Sequence, residues 1–560
     1  MRHRRSSVLA LWLSLAASVG ISVMAGALPN DTRVADAARR GDKEAVRALL
    51  KQGADVNAAH GDGSTALHWA ATKDDVEMAQ ILLYAGANVK ATSRIGGISP
   101  LIVASRNGHA PMLDLLLKAG ANPNATIAGG LTPLMLAATA GDAAAVKLLL
   151  EKGAAVNAKE TTHGQTPLMF AAANNRAAAI KVLMASGADS KVTTQIRMPQ
   201  QRGGFRGLPQ PGQVGQPGQP GPAGPAGPAA QPGQPAGQQQ GQGQRQGQRG
   251  GRGQQPQPDD DEPVIAAMPM GGLTPLLYAA RQNNFDAARA LLDGGANINQ
   301  SSAGDRTTPL MISTINGHFD LSMLLLERGA DPTLATMAGA TPLYGAINVQ
   351  WAPKAMYPEP STRQEKTTLI ELMDALLQRG ADPNIRLTRE LWYTSYAQRL
   401  NGTNVTGATP FWRAAQVGDV DAMRLLLARG ANPNIATAEG VTPLLALSGS
   451  GFYGNDDRAV PAGRMPATRY LVEELHANVN AADTGTRGGH TAIHNAASRG
   501  DNEMILYLVS KGAKVDAVSK TGQTTVDMAN GPRQRIQPFS ETVALLMNLG
   551  AKNSHKCVSC

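Results

Sequence analysis

Thr132-Pro133-Leu134-Met135-Leu136-Ala137-Ala138, followed by Gly153-Ala154-Ala155-Val156-Asn157, decides the architecture of this chain, because versions of both stretches recur from end to end. A Thr hydroxyl caps a helix start, and Pro at the first helical position lacks the N–H that would have no partner there. The stretch predicts a short helix from Leu134 to Ala140, a break at Gly141-Asp142, and a second helix from Ala144 to Glu151 with Val146, Leu149 and Leu150 on one face. Gly153 suits the left-handed conformation that ends a helix.

The same register appears at Thr65, Ser99, Thr166, Thr274, Thr308, Thr341, Thr409, Thr442, Thr491 and Thr524, and uninterrupted neighbours stand 33 or 34 residues apart. Gly53, Gly86, Gly120, Gly187, Gly295, Gly329, Gly380, Gly430, Gly512 and Gly550 match Gly153, whereas His476 takes that place once, which predicts local backbone strain or a shifted cap. One helix pair cannot bury its own apolar face, so the units must stack, with residues 31–63 and 523–552 as terminal units. The period, the Thr-Pro-Leu and Gly-Ala-Asp/Asn signatures, and turns such as Asp55-Val56-Asn57 and Asn122-Pro123-Asn124 resemble the ankyrin repeat family over nearly all of residues 31–552. That resemblance implies an all-α solenoid of stacked helix-turn-helix units with β-hairpin fingers, presenting a concave surface to a protein partner without catalysis. It also implies a bridging, structural role for His68 and His494, which close the tetrapeptides Thr65-Ala66-Leu67-His68 and Thr491-Ala492-Ile493-His494.

Breaks in the period divide the chain. Residues 31–197 read as an N-terminal stack and 272–552 as a C-terminal stack, with insertions at 349–366, 387–407 and 449–465. Between the stacks, residues 198–271 consist almost wholly of Gly, Pro, Gln and Arg, cannot bury a core, and are expected to form a disordered, partly extended loop leaving from a finger. A three-residue Gly period from Gly212 to Gly227 is too short for a collagen-like helix.

At the N-terminus, Arg2-His3-Arg4-Arg5, an apolar run from Val8 to Met24 and Ala25-Gly26-Ala27 match a signal peptide over residues 1–27, so the protein is expected to be exported, periplasmic or secreted, by a general or a twin-arginine route. Removing Arg2, Arg4 and Arg5 lowers the formal charge from +9 to +6. Lys and Arg read as spread along the repeats beside Asp and Glu, which argues against nucleic acid as partner. After cleavage no membrane span is expected, and the chain is expected to be a monomer.

No catalytic or metal-binding set stands out along the chain. His109 and His318 read as polar surface residues at the turn between paired helices, and Phe411 and Trp412 as core at a helix start. The insertions concentrate aromatic residues, which make good anchors on loops of a rigid scaffold. Candidate partner contacts there are Trp351, Tyr357, Trp392, Tyr393, Tyr396, Phe452 and Tyr453. Finger positions add Arg94, Ile127, Arg306, Arg386 and Glu439. The tail, residues 553–560, holds the only two cysteines, Cys557 and Cys560. Their Cys-x-x-Cys spacing resembles the start of a c-type haem attachment motif, but the motif's following His is not in the sequence. Three other readings stay open: a disulfide, a metal-binding thiol pair, or a remnant. The leading expectation is therefore a protein-binding scaffold, and the alternative is an electron-transfer protein carrying haem on this tail.

Overall fold

The first helix of the unit runs Pro133–Ala140 and the second Ala143–Glu151, in a computed structural model that describes residues 31–198, 269–351, 362–389, 391, 404–449, 459–460, 462–486, 488–531 and 537–556. Thr132 Oγ1 accepts the Met135 N–H at 3.2 Å, and Asp142 Oδ1 accepts the Ala145 N–H at 2.7 Å, so each helix begins on a side-chain cap. Ser99, Thr166, Thr274, Thr308, Thr409 and Thr442 cap their helices in the same way. Thr341 does not; its buried hydroxyl has no partner among the described residues. Thr65 and Thr491 instead turn their hydroxyls to the rings of His68 and His494. His476 lies at φ 54°, in the left-handed region, as its place in a Gly position requires.

Leu134, Met135, Ala137 and Ala138 of the first helix and Ala145, Val146 and Leu149 of the second are buried. Alanines let neighbouring first helices approach closely, and the buried apolar cluster continues from Val34 to Ala551. Leu150 packs against that cluster only partly buried.

Two hydrogen-bond ladders fasten one unit to the next. In the first, a finger backbone N–H donates to a carbonyl of the preceding finger: Arg94 to Asp62 at 2.7 Å, Thr161 to Gly129 at 2.8 Å, Met337 to Asp305 at 2.9 Å, Lys520 to Gly488 at 2.9 Å. In the second, an Asn after the paired helices reaches across. Asn124 Nδ2 donates to the Gly153 carbonyl and its Oδ1 accepts the Ala155 N–H; Asn57, Asn384 and Asn480 repeat the pattern. The fingers themselves are short. Among the described residues, strand pairing within them is confined to single bridges, such as Ala59 with Thr65, and to one two-residue pair, Ile196–Arg197 with Met270–Gly271.

That pair closes the longest break in the period. Ile196 faces Gly271 and Arg197 faces Met270 in antiparallel register, Thr194 N–H donates to the Leu273 carbonyl at 3.1 Å, and residues 269–271 thus belong to the finger rather than to the loop. The helix Pro275–Arg281 then packs on Pro167–Ala173, as the bonds from Gln165 Nε2 to Tyr278 Oη and from Asn284 Nδ2 to the Ala172 carbonyl show. The finger ladder continues through Gln195 to His163 and Ala303 to Gly272, so both runs of repeats form one stack. Because the ends of the break are already paired, replacing residues 199–268 with a short Gly turn is expected to leave the thermal midpoint unchanged or raised, the shorter loop being worth about 2 kcal/mol. A marked fall in the midpoint would show that the stack depends on those residues.

Two further boundaries differ from the sequence expectation. The helix Pro342–Gln350 extends past Val349, and Met465, read as insertion, lies in the helix Arg464–Arg469, which runs on into a wide turn at Tyr470–Glu474. No helix among the described residues is long and apolar enough to cross a membrane.

Candidate functional site

In two units the fourth residue of the Thr-Pro-Leu-x register bonds across to the next unit. His68 accepts the Thr65 N–H on Nδ1 and donates from Nε2 to the Ile98 carbonyl at 2.9 Å, and burial lowers its pKa. Trp412 stands in the same register, wholly buried, and its indole N–H donates to the Val441 carbonyl at 2.9 Å; Phe411 beside it is wholly buried too. Tyr344 does not bridge: its buried hydroxyl has no partner among the described residues, and burial pushes its pKa up to about 12; His494 Nε2 likewise has no hydrogen-bond partner there. His109 and His318, expected as surface residues, are half-buried. Their ring nitrogens meet the carbonyls of Ala71 and Arg281 at 3.1 Å, at the end of the preceding unit's first helix. These side chains are fasteners.

Of the candidate contacts, Tyr357, Trp392, Tyr393, Tyr396, Phe452 and Tyr453, like Cys557 and Cys560, lie outside the described residues. Trp351 is not a free anchor. It packs on the core, its indole N–H donates to Asp419 Oδ2 at 2.9 Å, and its carbonyl accepts from Arg413 Nη2 at 3.0 Å, because the helix end must be joined to the next unit. Arg386 is exposed and held by two carbonyls, donating from Nε to that of Gly407 and from Nη2 to that of Ala436. Glu439 Oε1 accepts from Asn404 Nδ2 at 3.2 Å. Half-buried Ile127 closes its own finger through its N–H to the Leu131 carbonyl. Arg94 and Arg306 are exposed; Arg94 Nη1 donates to the Gly61 carbonyl at 3.2 Å. Arg306 sits at φ 65° where every other registered finger has a Gly of positive φ, for example Gly97, Gly130 and Gly339. An Arg held in the left-handed region costs about 1 kcal/mol or more, which a finger of purely structural purpose would avoid.

Charge along the chain is not evenly spread once the helices are in place. Several cations on the second helices and the turns leading to them are paired, Lys43 with Asp75 and Glu77, Lys118 with Asp114, Arg424 with Glu474 and Lys511 with Glu473, while Lys51, Lys181 and Arg289 make no ion pair among the described residues. Arg39, Lys73 and Arg106, at the ends of first helices, are exposed and make no ion pair among the described residues. Sequence reasoning missed these three. Their signal was present, since first-helix segments carry acids only at Asp36 and Asp527. Acids on the fingers turn inward. Glu160 is buried with the Gln165 N–H on its carboxylate at 3.0 Å, and Asp305 accepts from Ser302 and Thr307. Among the described residues no group of three His, Cys, Asp or Glu is placed to hold a metal ion. The described part of the tail folds back, Ser554 Oγ donating to the Gly522 carbonyl at 2.9 Å.

Comparison with known proteins agrees with this geometry. A profile described as ankyrin repeats (3 copies) matches residues 34–127, 101–194 and 257–348, and one described as ankyrin repeat matches 406–438 and 488–520. The chain is 30% identical over 128 residues to ankyrin repeat and SAM domain-containing protein 6 of Rattus norvegicus, covering 22% of this chain and 13% of that one. It is 43% identical over 70 residues to BCL-6 corepressor-like protein 1 of Homo sapiens, covering 12% and 4%. With a Danio rerio protein named as a palmitoyltransferase it shares 30% identity over 180 residues, covering 31% and 27%. The chain thus spans less than a third of each of these relatives, and what they share with it is the repeat. Matched over more than half its length and built throughout from capped helix pairs and short fingers, the chain belongs to the ankyrin repeat family.

Proposed function

We propose that this chain is an exported scaffold that holds another protein along its fingers and first helices and catalyses no reaction itself. The observation that carries this reading is the continuity of the finger ladder across the long break, which sets Arg94, Ile127, Arg306 and Glu439 on successive parts of one stack. A row of rigid fingers offers side chains whose positions are already determined, so ordering them on binding costs little. Export rests on the basic, apolar and small-residue order of residues 1–27.

The test is to express the chain with its own leader, separate cytoplasmic from exported fractions, crosslink, and identify what is captured by the exported protein. Retention in the cytoplasm would overturn the export reading. Absence of any specific crosslinked protein would overturn the scaffold reading. A pyridine haemochrome spectrum on the same material adds a third outcome, since covalent haem would move the function to the Cys557 and Cys560 tail. Replacing Trp392 and Tyr396 with Ala is expected to weaken capture if the aromatic insertions take part in it.

A further inference from the structure

Resting on the scaffold reading, we infer that the partner presents an extended acidic polypeptide segment to the fingers and first helices, with acidic side chains near every third position. The observation is the partition of charge between the two sides of each unit. Second helices carry acids beside their cations and several of these pair, as in Lys43 with Glu77 and Arg424 with Glu474, although Lys51, Lys181 and Arg289 make no ion pair among the described residues; first helices carry acids only at Asp36 and Asp527. Arg39, Lys73 and Arg106 on the first helices and Arg94, Arg197 and Arg306 on the fingers are exposed, and none has a carboxylate within ion-pairing distance among the described residues.

The finger carboxylates that might have balanced these cations are withdrawn. Asp62 accepts from Ser64, Glu160 from the Gln165 backbone, Asp305 from Ser302 and Thr307, and Asp483 from the Gly489 N–H. Two of the finger cations are also pre-positioned, Arg94 by the Gly61 carbonyl and Arg197 by the Thr162 carbonyl of the preceding finger. A carbonyl aims a guanidinium without cancelling its charge. Arg306 is the third, and it occupies a left-handed position that the other registered fingers give to Gly. A cation kept there against the backbone preference marks a position used for something other than the turn.

Spacing selects the form of the ligand. Successive units stack at about 8–10 Å, the separation of packed helices, while an extended chain rises about 3.3 Å per residue, so about one ligand residue in three meets each finger. Apolar side chains are interleaved with the cations: Ile95 is 77% exposed at the same finger tip as Arg94, and Met337 is exposed on another. Such a row fits a polypeptide with alternating acidic and apolar character. Single-stranded nucleic acid is held by aromatic side chains on which bases stack, and the described parts of the fingers carry no Trp, Tyr or Phe.

The experiment uses the full exported chain and three labelled probes followed by fluorescence anisotropy: a peptide with Glu at every third position among Ala and Leu, its Gln counterpart, and an oligothymidine of similar length. The Glu peptide is expected to bind about tenfold or more tightly than the Gln peptide and to weaken with salt. Combining Arg94→Glu, Arg106→Glu and Arg306→Glu is expected to remove that preference. Lys118→Glu, Lys147→Glu and Lys181→Glu together change the net charge equally on the second helices and are expected to leave it intact. Arg306→Gly provides the sharper arm, because it should weaken the Glu peptide while the thermal midpoint stays level or rises. Equal binding of the Glu and Gln peptides, equal loss in both triple variants, or preference for oligothymidine overturns the inference. Its failure is separable from failure of the scaffold reading. If the finger triple variant captures the same exported protein as the unaltered chain, the scaffold stands and the acidic partner falls; if the unaltered chain captures nothing, the scaffold itself falls.

Discussion

Replacing Trp412 with Ala is expected to destabilise the stack by about 3–5 kcal/mol, the range for removing a wholly buried large aromatic side chain. Trp412 is 0% exposed, and Thr409 Oγ1 accepts its backbone N–H at 3.1 Å while its indole bridges to Val441. Trp412→Phe keeps most of the volume but removes the indole donor, leaving the Val441 carbonyl with the Thr437 N–H alone, a loss of about 0.5–1.5 kcal/mol. Trp412→His provides the informative rescue. His68 makes the same bridge from the same register, so imidazole should recover the hydrogen bond though not the packing. Because each unit touches only its neighbours, the loss should concentrate near residues 404–449, with hydrogen exchange accelerating there before elsewhere. Denaturant unfolding of the three variants checks the order. Equal loss for Phe and Ala would show that the bridge, not the volume, carries the energy, and no loss for either would contradict the burial.

The second large effect is a loss of stability on mild acidification. His494 is wholly buried, and its pKa is lowered from 6.5 to about 4, first by burial and then by the nearby His490 ring, whose centroid lies 5.7 Å away. His68 and His318 are lowered as well, burial again being the main cause. A His whose folded pKa lies below its unfolded value gives the unfolded chain the stronger hold on the proton. Its contribution is therefore present above pH 6.5 and lost as pH falls toward 4; for His494 alone this amounts to roughly 3 kcal/mol. The thermal midpoint should fall between pH 6.5 and 4, and His494→Gln should flatten that fall while lowering the midpoint at neutral pH. An unchanged slope in the variant would remove His494 from the explanation. Below pH 4 a separate loss begins. Burial opposes the charge on Glu160 and Asp527, but their backbone and side-chain hydrogen bonds prevail and hold both pKa values below the usual carboxylate range, so protonation there costs stability.

The repeat was legible in one dimension because its determinants are local. A Thr hydroxyl capping three residues ahead, a Pro at the first helical position and a Gly where φ must be positive act within a few residues. Their recurrence therefore reports the helices, the period and the core positions such as Leu134 and Val146. Even the departures obeyed local rules, as His476 at φ 54° shows. What each side chain does with its polar atoms was decided elsewhere. Trp351 looked like an exposed anchor until Asp419 and Arg413, more than sixty residues away, were brought against it. Arg386 was fixed in place by the Gly407 and Ala436 carbonyls, and His109 and His318 were drawn half under the surface by carbonyls of the preceding unit.

Charge gave the clearest divergence. Read along the chain, Lys and Arg alternate with Asp and Glu; in the stack, several acids of the second helices meet cations, and those of the fingers bond to hydroxyls and backbone N–H groups. Sequence alone determined that this chain is a stack of ankyrin units and where the units begin and end, because capping and backbone preference are short-range. Only the tertiary structure decided that Trp351 is tied to the next unit, how the long break closes, and which cations stay unpaired, because partners that neutralise or bury a side chain come from the neighbouring unit.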